Sequence, residues 1–174
     1  KGTYYTPLDY DYVYQFEEGI AIVVKDEKMG GIDLSGKLVI PVEYDKIEDF
    51  HEGFAVATRG GYKFLIDKSG KAIGNVSKYY LCSDVNEGMA IVCSDDKYGF
   101  IDVTGKEVIP LKYNEVHSFH DGLAWVRLDK ANMFINKNGV RIGADNCEPA
   151  GDFSEGMAAV KVDSLYGYIN KTGV

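Results

Sequence analysis

The sequence predicts an all-β fold of tandem repeats, about 34 residues each, made of β-hairpins and stacked as an open twisted solenoid. Three observations predict it. Gly19, Gly53, Gly88, Gly122 and Gly156 stand 34, 35, 34 and 34 residues apart. Gly36, Gly70, Gly105, Gly139 and Gly173 repeat those spacings, irregularity included, so both columns share one register, with an extra residue between Gly70 and Gly88. Finally, a unit this short cannot enclose a core alone, so neighbouring units must share one, as in solenoids and propellers. A closed five-bladed, propeller-like ring is the alternative.

Composition agrees. Of 174 residues, 45% are apolar and 26% charged, which excludes a disordered chain. The 20 glycines exceed the usual share of about 7%, but only four prolines accompany them, so this is not a linker composition. A net charge of −8 argues against nucleic acid and anionic membranes as partners. No apolar run approaches the length of a membrane-spanning helix.

Each unit reads in the same order. An aromatic or apolar residue stands three before the first glycine: Phe16, Phe50, Val85, Phe119, Phe153. A carboxylate stands one before it: Glu18, Glu52, Glu87, Asp121, Glu155. The run that follows, Ile20 to Val23 in the first unit and Phe54 to Ala57 in the second, reads as a strand buried on both faces. Its alanine (Ala21, Ala55, Ala90, Ala124, Ala158) suits close approach of a neighbour. A second strand ends in Ile-Asp or Ile-Asn, and Asp33-Leu34-Ser35-Gly36 then reads as a type I turn with a G1 bulge. A third strand leaves through Val39-Ile40 and meets Pro41, which predicts a strand end or a sheet edge. Tyr44 to Phe50 fits either a short fourth strand or one helical turn. The units alternate: Gly30, Gly99 and Gly167 stand where the even units carry Phe64 and Met133.

The chain therefore reads as one repeat domain over residues 1–174, with about five units punctuated at Gly36, Gly70, Gly105, Gly139 and Gly173. Gly2 extends the second column, and five alternating units would bring two odd ones together in a ring, which favours the open array. The chain is expected to be a fragment of a longer protein.

Three stretches resemble the tryptophan–glycine (WG, or KWG) repeat family, found mainly in bacterial proteins. Phe119 to Val126 matches its Phe-x-Glu-Gly-Leu-Ala-x-Val element, Tyr98 to Lys106 its Trp-Gly-Tyr/Phe-Ile-Asp-x-Ser/Thr-Gly-Lys element with Tyr98 in place of the Trp, and Val39 to Asp45 its Val-Ile-Pro-x-x-Tyr-Asp element. The signature Trp is absent: its column reads Met29, Lys63, Tyr98, Asn132, Tyr166. The resemblance implies a repeat scaffold without catalytic residues.

No residue pattern points to chemistry. The Asp/Asn column reads as turn acceptors, and the Glu column as solvated turn charges, rather than as cation ligands. His51 and His120 share a variable slot, and the three cysteines form no Cys-x-x-Cys pair. No catalytic residue, metal ligand or cofactor is expected, and the chain is not expected to be an enzyme. The expected function is a non-catalytic interaction or spacer module of a bacterial protein. The alternative is a carbohydrate-binding module using exposed aromatics. Tyr10, Tyr44, Tyr79 and Tyr113 are locked to the repeat and read as core. The off-column aromatics Tyr5, Tyr12, Tyr14, Tyr62, Tyr80 and Trp125 are the candidate binding surface. The expected partner is a protein or a glycan, with self-association through exposed edge strands. The expected location is secreted or in the cell envelope.

Overall fold

A computed structural model describes residues 9–73, 79, 81–144 and 147–174. Tyr5, Tyr80 and Gly2 lie outside the described residues. Among the described residues every element is a strand, in five small antiparallel sheets, none closed into a barrel. The chain divides into two compact units, Lys1–Lys78 and Tyr79–Val174.

In the first unit β1 (Tyr12–Glu17), β2 (Ile20–Lys25), β3 (Lys28–Asp33) and β4 (Leu38–Tyr44) form a meander in chain order. A second sheet holds β5 (Lys46–Ile47), β6 (Phe54–Arg59) and β7 (Tyr62–Asp67), with an isolated bridge from Ile66 to Ala72. The second unit contains three sheets. The first is β8 (Leu81–Cys82), β9 (Met89–Ser94), β10 (Lys97–Asp102) and β11 (Glu107–Tyr113). The next is β12 (Glu115–Val116), β13 (Leu123–Leu128), β14 (Ala131–Asn136) and β15 (Arg141–Ile142). The last is β16 (Glu148–Pro149), β17 (Met157–Val162) and β18 (Leu165–Asn170).

Turn chemistry sets these boundaries. Glu18 and Gly19 both have positive φ (47° and 87°) between the paired residues Glu17 and Ile20. Positive φ at both central residues is the two-residue hairpin turn whose twist matches that of the flanking strands. At the other end of the repeat, Asp33 and Gly36 close the expected turn, with the Gly36 N–H on the Asp33 carbonyl at 2.9 Å and the Asp33 N–H on the Lys37 carbonyl at 3.0 Å.

The alternation of units has a steric cause. β4 and β11 cross their neighbours β3 and β10 with a shifted register, bulging over Gly30 and Gly99. A Cβ on Gly30 would lie 2.7 Å from the Ile40 carbonyl oxygen, and one on Gly99 would lie 2.5 Å from that of Ile109. Only glycine admits that approach. Where Met133 fills the column, the following strand β15 pairs through only two residues, and after Phe64 the described residues pair through Ala72. Pro41 does not end its strand as one expectation had it. β4 runs through it to Tyr44, because the proline sits in the bulge on an outer strand, where its missing N–H leaves no ladder bond unmade. The Tyr44 to Phe50 stretch holds a two-residue strand, β5, and no helical turn.

The core lies between successive sheets of each unit. Ile20, Ile22 and Ile40 pack with Tyr44, Ile47, Phe50 and Ile66 in the first. In the second, Phe119 meets Phe100 edge-on at 4.8 Å, and Phe153 meets Phe134 in the same way at 4.8 Å. Phe50, Phe119 and Phe153 of this column are thus the feet that their repeats set on the sheet before them. The alanine column is fully buried, with Ala21, Ala55, Ala90, Ala124 and Ala158 all at 1% exposure or less.

Candidate functional site

The polar columns belong to the scaffold. Asp33 Oδ1 accepts from the Ser35 N–H (2.8 Å), the Ser35 hydroxyl (2.5 Å) and the Lys37 N–H (3.1 Å). Asp67 and Asp102 repeat all three bonds, and Asn136 and Asn170 repeat the backbone pair. The Ser35 and Thr104 hydroxyls, with the backbone amides, hold Asp33 and Asp102 below the ordinary carboxylate range. At Asp67 burial pushes the other way, but its bonds to Ser69 and Lys71 prevail.

The carboxylate column does more than the solvated charge expected of it. Glu18 accepts from the N–H groups of Glu52 (2.9 Å) and Gly53 (2.8 Å) in the next repeat, and Lys68 donates to the Glu18 carbonyl at 2.7 Å. Glu87 holds the Gly122 N–H (2.9 Å) and pairs with Lys137, while Asp121 holds the Gly156 N–H (2.8 Å) and pairs with Lys171. Each clasp joins a turn to the turn one repeat on. It gives the carboxylate at this left-handed turn position a role in the next repeat, which Asp121 fills as Glu18 and Glu87 do. The lysine column at 68, 137 and 171, each 50 residues after its carboxylate, was the available sequence signal.

The candidate aromatics separate into three groups. Tyr44 and Tyr113 are buried, and Tyr44 places its hydroxyl on the Gly70 carbonyl at 3.2 Å. Tyr10 and Tyr79, of the same column, are half-buried. Tyr62 is exposed at a hairpin turn, apart from the others. Tyr12 and Tyr14 stand together on β1, at 59% and 48% exposure, with their rings edge-on at 4.9 Å. Val13 and Phe16 of that strand are equally open (48% and 49%), although Ile47 and Phe50, their counterparts one repeat on, are buried.

Trp125 is half-buried. It packs on the cluster around Phe134 and Phe153 and also faces a cleft of about 300 Å³. The cleft is walled by His117, Trp125, Asp152 and the stretch Pro149 to Gly151. The scaffold explains the meeting. The His117 N–H bonds the Trp125 carbonyl at 2.9 Å, as Glu48 does with Val56 and Ser83 with Ile91, so those two columns adjoin in the second, third and fourth repeats. Here they carry an imidazole and an indole, with ring centroids 4.6 Å apart. In the fifth repeat the equivalent bond to the Ala159 carbonyl comes from Ala150, one residue earlier in its repeat. The extra residue widens the bulge before Phe153, and Asp152 meets His117 with Oδ1 3.0 Å from Nδ1. Bulges re-aim side chains in this way. The first repeat has an equivalent cleft of about 310 Å³, at which Tyr14, Ile22 and Asp49 occupy the three columns. Among the described residues no group of three or more His, Cys, Asp or Glu is placed to hold a metal ion.

An all-β scaffold of clasped hairpin sheets with aromatic clefts between them is a β-repeat protein. A family model described as "WG containing repeat" matches residues 1–28, 29–62, 64–98, 98–130 and 147–166, and the chain belongs to that family. No curated protein matches the sequence. Among solved structures, the chain is similar to Hsv2 of Kluyveromyces marxianus, with a TM-score of 0.50 and 12% identity over 90% of this chain and 57% of that one. It is also similar to the extracellular domain of the one-component system BT4673 of B. thetaiotaomicron (TM-score 0.41, 16% identity, 98% and 29%). A third is PorZ, a bacterial surface component of the type-IX secretion system of Porphyromonas gingivalis (TM-score 0.27, 12% identity, 95% and 34%). The chain spans less than two thirds of each, and the likeness to Hsv2 is one of fold.

Proposed function

We propose that the chain is a non-catalytic β-repeat interaction module of a bacterial protein whose contact surface is the aromatic edge strand β1. One observation carries this. Tyr12, Val13, Tyr14 and Phe16 are all about half exposed or more on an outer strand, although the repeat uses two of those columns for packing. An apolar edge strand offers both unpaired backbone groups and side-chain area to another sheet. The partner it suits is a protein with an exposed sheet edge, a second copy of this chain first among them. A secreted or cell-envelope location belongs to the same proposal, and fractionation of expressing cells tests it.

Sedimentation velocity over a range of concentrations tests the contact. The wild-type chain is expected to gain mass with concentration, and a Tyr12→Lys, Phe16→Lys double variant to stay monomeric. A wild type that remains monomeric throughout, or a variant that associates equally well, would remove β1 as the surface. The second reading, a carbohydrate-binding module, rests on different residues: the Trp125 cleft.

A further inference from the structure

We infer that the cleft formed by His117, Trp125 and Asp152 binds a single neutral pyranose ring, with one C–H face against the indole and its hydroxyls on the imidazole and carboxylate. The inference rests on the carbohydrate reading and assigns it a site and a ligand class. Three facts about this chain support it.

The first is convergence. Trp125 occupies a column in which the other repeats carry Ile22, Val56, Ile91 and Ala159, none with an aromatic face, and His117 one in which they carry Tyr14, Glu48, Ser83 and Gly151. The two rings meet because the scaffold joins those columns, and Asp152, in the column that brings Asp49 to the first-repeat cleft, adds a carboxylate bonded to the imidazole. Turn formation requires neither ring, and Trp125 both packs on the Phe134 and Phe153 cluster and lines the cleft.

The second is the polar capacity left over. Asp152 spends Oδ1 on His117 Nδ1. Asp152 Oδ2, His117 Nε2 and the indole N–H make no further hydrogen bond among the described residues. An acceptor, a ring nitrogen fixed by its partner and a donor thus stand around an otherwise apolar hollow of Pro149, Ala150 and Gly151. Apolar walls with a few placed polar groups are the usual composition of a small-molecule site. A pyranose has the complementary character, with an apolar C–H face and a rim of hydroxyls.

The third is size and charge. A cleft of about 300 Å³ takes one sugar ring but no extended peptide. With a carboxylate at the site and a net charge of −8, uronic and sialic acids are poor ligands.

Trp125 is the one tryptophan of the chain, so its fluorescence reports on this cleft alone. The titrants are methyl β-D-glucoside and methyl β-D-galactoside, with glycerol as a polyol that has no ring face. A saturable change in Trp125 emission is expected with at least one glycoside, at a Kd on the order of 1 mM for so small a ligand. Glycerol is expected to give none. Asp152→Ala, an exposed substitution that leaves the indole in place, is expected to weaken binding about tenfold through loss of the charged acceptor. Tyr12→Lys, on β1, is expected to change nothing. Lack of saturation with both glycosides well above that concentration would overturn the inference. So would equal responses to glycerol, or an Asp152→Ala titration matching the wild type. Any of these leaves β1 association untouched, because sedimentation measures that separately.

Discussion

The two kinds of repeat use one backbone plan and differ at one column. In the sheets of β1–β4 and β8–β11, glycine lets a seven-residue outer strand cross at van der Waals distance, proline and all. In the sheets of β5–β7 and β12–β15, Phe64 or Met133 fills that space, and beside Met133 the outer strand β15 is reduced to two residues. The side chain in that column also supplies apolar surface, since Phe64 packs on the first core cluster and Met133 on that of Phe100 and Tyr113. One position thus exchanges backbone pairing for side-chain burial.

Gly99→Val tests this most severely. Its Cβ would meet the backbone of Ile109, Pro110 and Leu111 within 3 Å, and backbone cannot rotate away as a side chain can. The expected loss is about 3 kcal/mol by urea denaturation, the upper end of overpacking costs. Met133→Val in the same column of an even repeat is expected to cost less than about 1.5 kcal/mol. Equal losses at the two sites would break the distinction between the repeats.

The alanine column is common to both kinds and should not distinguish them. Ala90→Leu and Ala124→Leu are each expected to destabilise by about 1–3 kcal/mol, because both alanines are 1% exposed in well-packed strands. Calorimetry showing one of them tolerated would reveal a looser sheet of that kind.

The clasps come next in size. Glu87→Ala removes the acceptor of the Gly122 N–H and the partner of Lys137, at a half-exposed site. About 1 kcal/mol is expected, most of it at low salt. Added salt should therefore narrow the gap between variant and wild type in thermal melts.

The smallest effect is on pH dependence. Asp102 titrates below the ordinary carboxylate range in the folded chain, owing first to the Thr104 hydroxyl. A folded pKa that is depressed gives stability that is present above the unfolded value and disappears as pH falls through the folded one. Asp102→Asn keeps the backbone acceptor, as Asn136 and Asn170 do naturally. It is expected to flatten the acid limb of the stability profile without moving the neutral plateau. An unchanged acid limb would assign that limb to the clasps, where Lys171 and the Gly156 amide lower Asp121 and where bonds to Lys68, Gly53 and Glu52 outweigh the burial of Glu18.

Much of the fold was legible because it is local. The Asp-x-Ser-Gly turn, the apolar strands and the buried alanines follow from residue types at fixed offsets, and they stand where the periodicity places them. The hairpin turn of Glu18 and Gly19 was less legible, since Glu is not a usual residue at positive φ and its reason lies 34 residues away. Pro41 was legible in part: it fitted a sheet edge or a strand end, and the bulge over Gly30 on the outer strand β4 decides for the edge. At the candidate site, Tyr12, Tyr14 and Trp125 were recognisable as aromatics off the repeat. His117 and Asp152 carry no such mark, because the shifted pairing before Phe153 leaves the glycine columns undisturbed.

The sequence by itself determined the period, the turns and the strand class, because each depends on φ preferences and side-chain size within a few residues. Only the tertiary structure decided which repeats carry a long outer strand, which amides the carboxylates clasp, and that an imidazole, an indole and a carboxylate share one cleft. Those outcomes depend on distances between residues 8 to 50 apart in the chain, and such distances are set by packing and bulges rather than by local conformation.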